Sequence, residues 1–300
     1  MKHLLTSGIV WGLLGLALCT SVSLAEKAEV PRVTEGVDFC VDIFTRQQGG
    51  YHTYRIPAMV VTAKGTVLLF CEGRKRSRRD DGDVDQIMKR SEDGGKTWSK
   101  QMLIHEEGGE APICICNPCA IFERNDQTVH LFFTRRRGPC LFYTTSTDEG
   151  KTWSDISAFS DTPDQKEYKE DTFLKGFSDS AVTLWAGPVH GIQTRKGRLI
   201  APSICGRTGK PGGSCIIYSD DRGKTWNAGG VIPSVPGMGH GECTVVERSD
   251  GSLLMNMRTG GDGLYGIGYR TVSVSTDHGL TWSEPVLDKN LPSQGCQGSM

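Results

Sequence analysis

Ser91-Glu92-Asp93-Gly94-Gly95-Lys96-Thr97-Trp98 returns three more times along the chain. The later copies are Ser146-Thr147-Asp148-Glu149-Gly150-Lys151-Thr152-Trp153, Ser219-Asp220-Asp221-Arg222-Gly223-Lys224-Thr225-Trp226 and Ser275-Thr276-Asp277-His278-Gly279-Leu280-Thr281-Trp282. The shared pattern is S-x-D-x-G-x-T-W, and the aspartates lie 55, 73 and 56 residues apart. An Asp side chain can accept backbone N–H groups two residues on and so close a turn. Gly supplies the positive φ that such a turn needs, and the indole supplies a large apolar anchor. Apolar runs flank each copy, as in Ile87-Met88-Lys89-Arg90 before the first and Gln101-Met102-Leu103-Ile104 after it. Each copy therefore reads as a β-hairpin. One or two carboxylates per copy are too few for calcium, which wants six or more oxygens.

Working outward, a second hairpin precedes each copy. Ile56 to Val61 turns at Lys64-Gly65 into Thr66 to Phe70, and Ala120 to Phe122 turns at Asn125-Asp126 into Val129 to Phe133. Gly191 to Gln193 turns at Lys196-Gly197 into Leu199 to Ala201, and Thr244 to Val246 turns at Asp250-Gly251 into Leu253 to Met255. Four strands per unit, repeated at this period, predict an all-β chain with a β-propeller architecture. The 38 glycines among 300 residues follow no collagen period and belong to turns. The polar, acidic stretch from Asp161 to Lys175 is expected to be a surface loop. Val37 to Phe44 alternates like a strand.

Lys and Arg number 34 against 35 Asp and Glu, a net charge of -1. That balance argues against a nucleic-acid partner. Met1-Lys2-His3, an apolar run from Leu4 to about Cys19 and the small residues of Ser23-Leu24-Ala25 have the order of a secretory signal peptide cleaved after Ala25. The run is short of the roughly 20 residues of a membrane span. Leu18 is too bulky for the residue before a lipidated Cys19. The expected organisation is a signal peptide over residues 1–25 and one propeller over 26–300, secreted or periplasmic, with no stable membrane insertion.

The repeat is the "Asp box" of sialidases, which also occurs in unrelated propellers, and the motifs between the boxes narrow it. Tyr54-Arg55-Ile56-Pro57 resembles the sialidase Y/F-R-I-P signature. Glu72-Gly73-Arg74 followed by Asp80-Asp81-Gly82-Asp83-Val84-Asp85 is similar to that family's E-x-R and D-x-G-D-x-D segments. Gly187-Pro188-Val189-His190-Gly191-Ile192-Gln193 resembles its G-P-G-H-G-I-Q run, with Val189 where the family has Gly. Glu242, Val245-Val246-Glu247 and Leu253 to Arg258 resemble its E-x-x-V-V-E…L-x-x-N-x-R segment. The resemblance runs from about residue 40 to 300, with the motifs in the family's order.

The resemblance implies a six-bladed sialidase-like propeller and an exo-α-sialidase that removes terminal sialic acid from glycoproteins, glycolipids and oligosaccharides with retention. It implies no cofactor and no metal. Sialic acid carries a carboxylate at its anomeric carbon, and the planar arginine fork suits that anion. Arg55 and Arg258 match two of the family's three carboxylate-binding arginines, and Arg74 matches a further arginine near the sugar ring. Lys75, Arg76, Arg78 and Arg79 follow Arg74 as a basic run, which on its own would be a solvated loop. Asp80 matches the general acid/base, with Asp81 as the alternative. The neighbouring Asp81, Asp83 and Asp85 are expected to raise its pKa. The family's nucleophile is a tyrosine, since a carboxylate would meet the substrate's own charge. Glu242 matches the base that activates it, whereas Glu247 reads as a strand or turn residue.

No tyrosine of this sequence stands in the nucleophile's context, and the third arginine has no match. Gln294-Gly295-Cys296-Gln297-Gly298-Ser299-Met300 resembles the start of a fifth blade. The expectation is therefore about four blades, the C-terminal ones missing, and negligible hydrolysis by these 300 residues alone. Cys114-x-Cys116-x-x-Cys119 glances at a zinc knuckle but lacks a second ligand pair, which favours loop cysteines, as buried thiols or a disulfide. A non-catalytic sialoglycan-binding propeller is the alternative function. A purely structural scaffold is a third, against which Arg55 in its Tyr-Arg-Ile-Pro setting speaks.

Overall fold

The computed structural model describes residues 39–300 except 137–139, 161–173, 176–181, 208–209, 233–234, 236–239, 260–267 and 294. The expected signal peptide lies outside the described residues. Val41–Met300 form one compact unit. The described residues contain strands and turns and no helix.

Strands β1 (Thr53–Val61), β2 (Val67–Arg74), β3 (Val84–Ser91) and β4 (Met102–His105) form an antiparallel meander. A second sheet is built on β5 (Ile115–Glu123), β6 (Thr128–Arg135), β7 (Cys140–Ser146) and β8 (Ser157–Ser160). The chain then runs through β9 (Leu174–Lys175), β10 (Val182–Ala186), β11 (Val189–His190), β12 (Ile192–Gln193), β13 (Leu199–Arg207), β14 (Lys210–Ser219) and β15 (Trp226–Val231). The third sheet has the order β10-β13-β14-β15-β9, with β12 also on β13. β11 leaves it to pair in parallel with β5, which stitches the second sheet to the third. Strands β16 (His240–Glu247), β17 (Leu253–Thr259), β18 (Tyr269–Ser275) and β19 (Val286–Pro292) form the fourth sheet. The propeller architecture follows: repeated four-strand meanders stacked in chain order.

Runs such as Leu68-Leu69-Phe70-Cys71 and Leu131-Phe132-Phe133 are buried throughout, because both faces of a sheet are covered and alternate residues serve opposite neighbours. Phe133 joins Leu68, Phe70 and Met88 between the first and second sheets. Phe132 joins Ile217 and Trp226 between the second and third. Ile200 and Ile216 meet Val245 and Met255 between the third and fourth.

The repeated turns close as one device. Ser91 Oγ donates to Asp93 Oδ1 (2.8 Å) and accepts Gly95 N–H (2.8 Å). Asp93 accepts Thr97 N–H (2.9 Å) and its hydroxyl (2.6 Å). The bonds recur around Asp148, Asp221 and Asp277. The Asp therefore reaches four residues on rather than two, and Ser supplies the inner half of the turn.

The second, third and fourth turns also dock on the preceding sheet. Trp153 packs edge-on to Phe70 at 5.6 Å, and Trp226 packs edge-on to Phe132 at 4.7 Å. Gly150 holds φ +76, and a Cβ there would lie 2.9 Å from Leu68. The residue before that glycine holds a positive φ in all four copies (Gly94, Glu149, Arg222, His278). Three of these reach the previous sheet's hairpin turn: Glu149 accepts from Thr62 (2.5 Å), Arg222 pairs with Asp126 (2.7 Å), and His278 meets Lys196 (3.2 Å).

Two expectations need correction. Over its described part, Phe39 to Phe44, the predicted first strand is irregular. Phe44 is used instead as a ring against Tyr54, 4.9 Å away. The expected loop from Asp161 lies outside the described residues up to 173, but Leu174–Lys175 are a strand, because the outer edge of β15 accepts them.

Candidate active site

The first two strands of the first and fourth sheets and the loop after β2 carry the site. Backbone register breaks between Arg55 and Ala58, between Cys116 and Cys119, and between His240 and Cys243. Such bulges re-aim side chains and favour active sites. Ile56 (φ +55), Asn117 (φ +57) and Val189 (φ +114) hold the left-handed region. For the β-branched Ile56 and Val189 this is a strained conformation, and Ile56 and Asn117 are each followed by proline, which restricts them further. All three line one cavity of about 1430 Å³. The same cavity is lined by Arg55, Arg74, Asp80, Glu242 and Arg258. The structure thus brings together all five sequence-derived residues, from the first and fourth sheets and the loop after β2. Asp81 is absent from the described lining and turns away to pair with Arg79 at 2.9 Å.

Arg74 is the buried anchor, 2% exposed beside Glu72 at 1%. Glu72 Oε2 accepts both Nε (3.0 Å) and Nη2 (2.6 Å) of Arg74, and Glu72 Oε1 accepts Asn117 N–H (3.1 Å). Arg74 Nη1 then donates to Asp80 Oδ1 at 2.6 Å and to the Arg78 carbonyl at 2.7 Å. Arg55 Nη1 reaches the same Oδ1 at 3.0 Å, with both partners half-exposed. Arg136 Nη1 donates to the Asp80 carbonyl at 3.0 Å. Burial pushes the Asp80 pKa up, but the hydrogen bond and charge of Arg74, then the charges of Arg55 and Arg136, outweigh it and hold the carboxyl below its ordinary value.

The expected acidic field is therefore corrected. Asp83 and Asp85 are buried and each lies 3.1 Å from Lys75, and Tyr51 donates to Asp85 at 2.6 Å. With Asp81 on Arg79, their charge is compensated away from Asp80. The basic run divides likewise: Arg74 is enclosed, Lys75 serves Asp83 and Asp85, and Arg76 and Arg79 are solvated.

On the fourth sheet Arg258 Nη1 donates to Glu242 Oε2 at 2.9 Å. Arg258 Nε is buried without a hydrogen-bond partner among the described residues, a donor suited to an incoming acceptor. Glu247 lies elsewhere and accepts Arg195 N–H at 2.7 Å, the turn role expected of it. Sequence reasoning missed Arg136, whose only signal is the Arg135-Arg136-Arg137 run ending β6. It also missed the parts played by Glu72 and Trp185, which lines the same cavity.

Cys114 and Cys116 pack with Val84, whereas Cys119 lies in the core between the second and third sheets. They are buried thiols, and Cys119 lies in a different cluster from Cys114 and Cys116, so the three do not converge on one point. Among the described residues no group of three or more His, Cys, Asp or Glu side chains is placed to hold a metal ion.

The sequence matches the BNR repeat-like domain family over residues 65–295. It is 31% identical to a sialidase of Micromonospora viridifaciens, over 84% of this chain and 39% of that protein. It is 30% identical to Sialidase-3 of Mus musculus, over 86% of this chain and 64% of that protein. The fold matches the Trypanosoma rangeli sialidase solved in complex with sialic acid, with a TM-score of 0.59 and 21% identity, over 78% of this chain and 37% of that one. The likeness to the solved structure extends to the fold. The chain belongs to the sialidase family with BNR repeats. It spans less than two thirds of the length of these relatives.

Proposed function

We propose that this chain carries the sialic-acid-recognising part of an exported exo-α-sialidase, four blades of a six-bladed ring, acting on terminal sialic acids of glycoconjugates with retention. One observation carries the reading: Arg55, Arg74, Asp80, Glu242 and Arg258 come from distant segments and line a single cavity. Arg55 and the spare Nε of Arg258 are the donors for the substrate carboxylate. Asp80 is the proton donor to the leaving oxygen, and Glu242 the base. The family's nucleophile is a tyrosine, and no tyrosine is among the described residues lining the cavity. Anion recognition is accordingly the property to test in these residues, and hydrolysis is to be measured beside it.

Calorimetric titration of the chain with methyl α-sialoside tests it. Arg258→Ala should weaken binding roughly tenfold or more, since a hydrogen bond to a charged group is worth about 1.5–3 kcal/mol. Absence of binding, or binding indifferent to both Arg55→Ala and Arg258→Ala, sinks the proposal. Where the protein turns over a fluorogenic sialoside, Asp80→Asn should lower kcat roughly 10²–10⁴-fold. Binding with no hydrolysis in any form of the protein would favour the sialoglycan-binding alternative.

A further inference from the structure

The two arginines on Asp80 are not equivalent. Arg74 is enclosed and locked by Glu72, so its bond to Asp80 is a fixed tether. Arg55 is nearly half exposed, as is Asp80, and this Arg55–Asp80 contact is the weak, solvent-screened kind. Arg55 donates to Asp80 through Nη1. The N–H of Nη1 that Asp80 holds cannot be given to a second carboxylate at the same time, so a two-pronged grip on a ligand carboxylate that uses Nη1 competes with Asp80.

We propose that Arg55 is shared between Asp80 and the carboxylate of the ligand, so that ligand binding takes Arg55 away from Asp80 and so sets the acid in its proton-carrying state. This deepens the sialic-acid reading and rests on it. Arg55 is then a positioning residue for Asp80 as well as a ligand-binding one.

The groups facing Asp80 fix the direction of the change. β1 supplies Arg55, and β2 supplies Arg74 with the buried Glu72 behind it. The segment after β6 supplies Arg136, and Cys114 Sγ donates to the Asp80 carbonyl from the turn before β5. Arg79 and Asp81, on Asp80's own loop, are paired with each other. Among these groups the guanidiniums dominate and hold the Asp80 carboxyl below its ordinary pKa. An arriving carboxylate brings a like charge and withdraws one cation, and both effects favour protonation of Asp80. The proton comes from solvent onto the Asp80 carboxylate and is the one later given to the leaving oxygen.

The test is calorimetry with methyl α-sialoside in buffers of different ionisation heat, compared with the methyl ester of the same sugar. The acid should bind the wild-type chain with net proton uptake between about pH 4 and 6, from the ordinary Asp range to that of a raised active-site carboxyl. The ester should bind without uptake or not at all. Asp80→Asn should bind the acid roughly two- to fivefold more tightly, the effect of deleting a half-exposed ionic competitor, and should show no uptake. Acid binding without proton uptake by the wild type overturns the proposal even if the variant fails to fold, and so does weaker binding by a folded Asp80→Asn. Either result would leave sialic-acid recognition standing. A wild-type chain that binds no acid at any pH would instead sink the recognition itself, and this inference with it.

Discussion

The rim turns and the central cavity use similar chemistry in opposite ways. At the rim, Asp93, Asp148, Asp221 and Asp277 accept from residues no more than four positions away, so eight residues contain the whole device. Positive φ there falls on Gly, Glu, Arg and His in turns. In the cavity, Asp80 accepts from Arg55, 25 residues away, Glu72 accepts from Asn117, 45 residues away, and positive φ falls on Ile56 and Val189. The rim is locally self-satisfied and therefore repeats. The cavity is assembled by long-range contacts and tolerates strain, as sites held by a rigid surround do.

The sharpest way to break this contrast is Glu72→Ala. It removes the buried carboxylate partner of Arg74 and leaves only the half-exposed Asp80, which should cost about 3–5 kcal/mol in urea unfolding while leaving the rim turns intact. A loss below about 1 kcal/mol, the range of an exposed pair, would show that the cavity does not depend on that buried pair.

A smaller effect should appear at the rim in acid. Burial pushes the Asp148 pKa up, but hydrogen bonds from the Thr152 hydroxyl and N–H, the Ser146 hydroxyl and the Lys151 N–H together outweigh it and bring it to about 2. The Thr281 hydroxyl leads the same fall to about 2 at Asp277. A folded pKa below the unfolded one means that the unfolded chain binds more protons as pH falls. The stabilisation is therefore complete above about pH 4 and lost toward pH 2. Each of these two exposed groups should contribute no more than about 1 kcal/mol. The urea midpoint should fall across that window, and Asp277→Asn should shrink the fall.

The smallest expected change is Val189→Gly. Relief of the positive φ is partly offset by glycine's extra chain entropy, for a net gain of up to about 1 kcal/mol in thermal melts. A loss of stability would mean that Val189 packing against the cavity outweighs its strain.

The propeller was legible because apolar strand runs and turn chemistry are short-range. Leu68 to Phe70, the box glycines and the box tryptophans announce their roles within a few neighbours. The five cavity residues were legible only through motif resemblance, since nothing near Arg258 in sequence points to Arg55. The ionisation of Asp80 was misread for the same reason. Asp81, Asp83 and Asp85 are its neighbours along the chain, yet Arg79, Tyr51 and Lys75 compensate them in space. Arg136 stayed hidden because one arginine in a basic run looks like any other until a fold aims it.

By itself the sequence determined the core strands, the four closed turns and the all-β architecture, because hydrogen bonds spanning four residues and short apolar runs between turns are written in adjacent positions. Only the tertiary structure decided which arginine is an enclosed anchor, which is half exposed, and which way its partners push the Asp80 pKa. Burial and electrostatic partnership depend on distance through space, and here that distance is set by sheets stacked far apart in the chain.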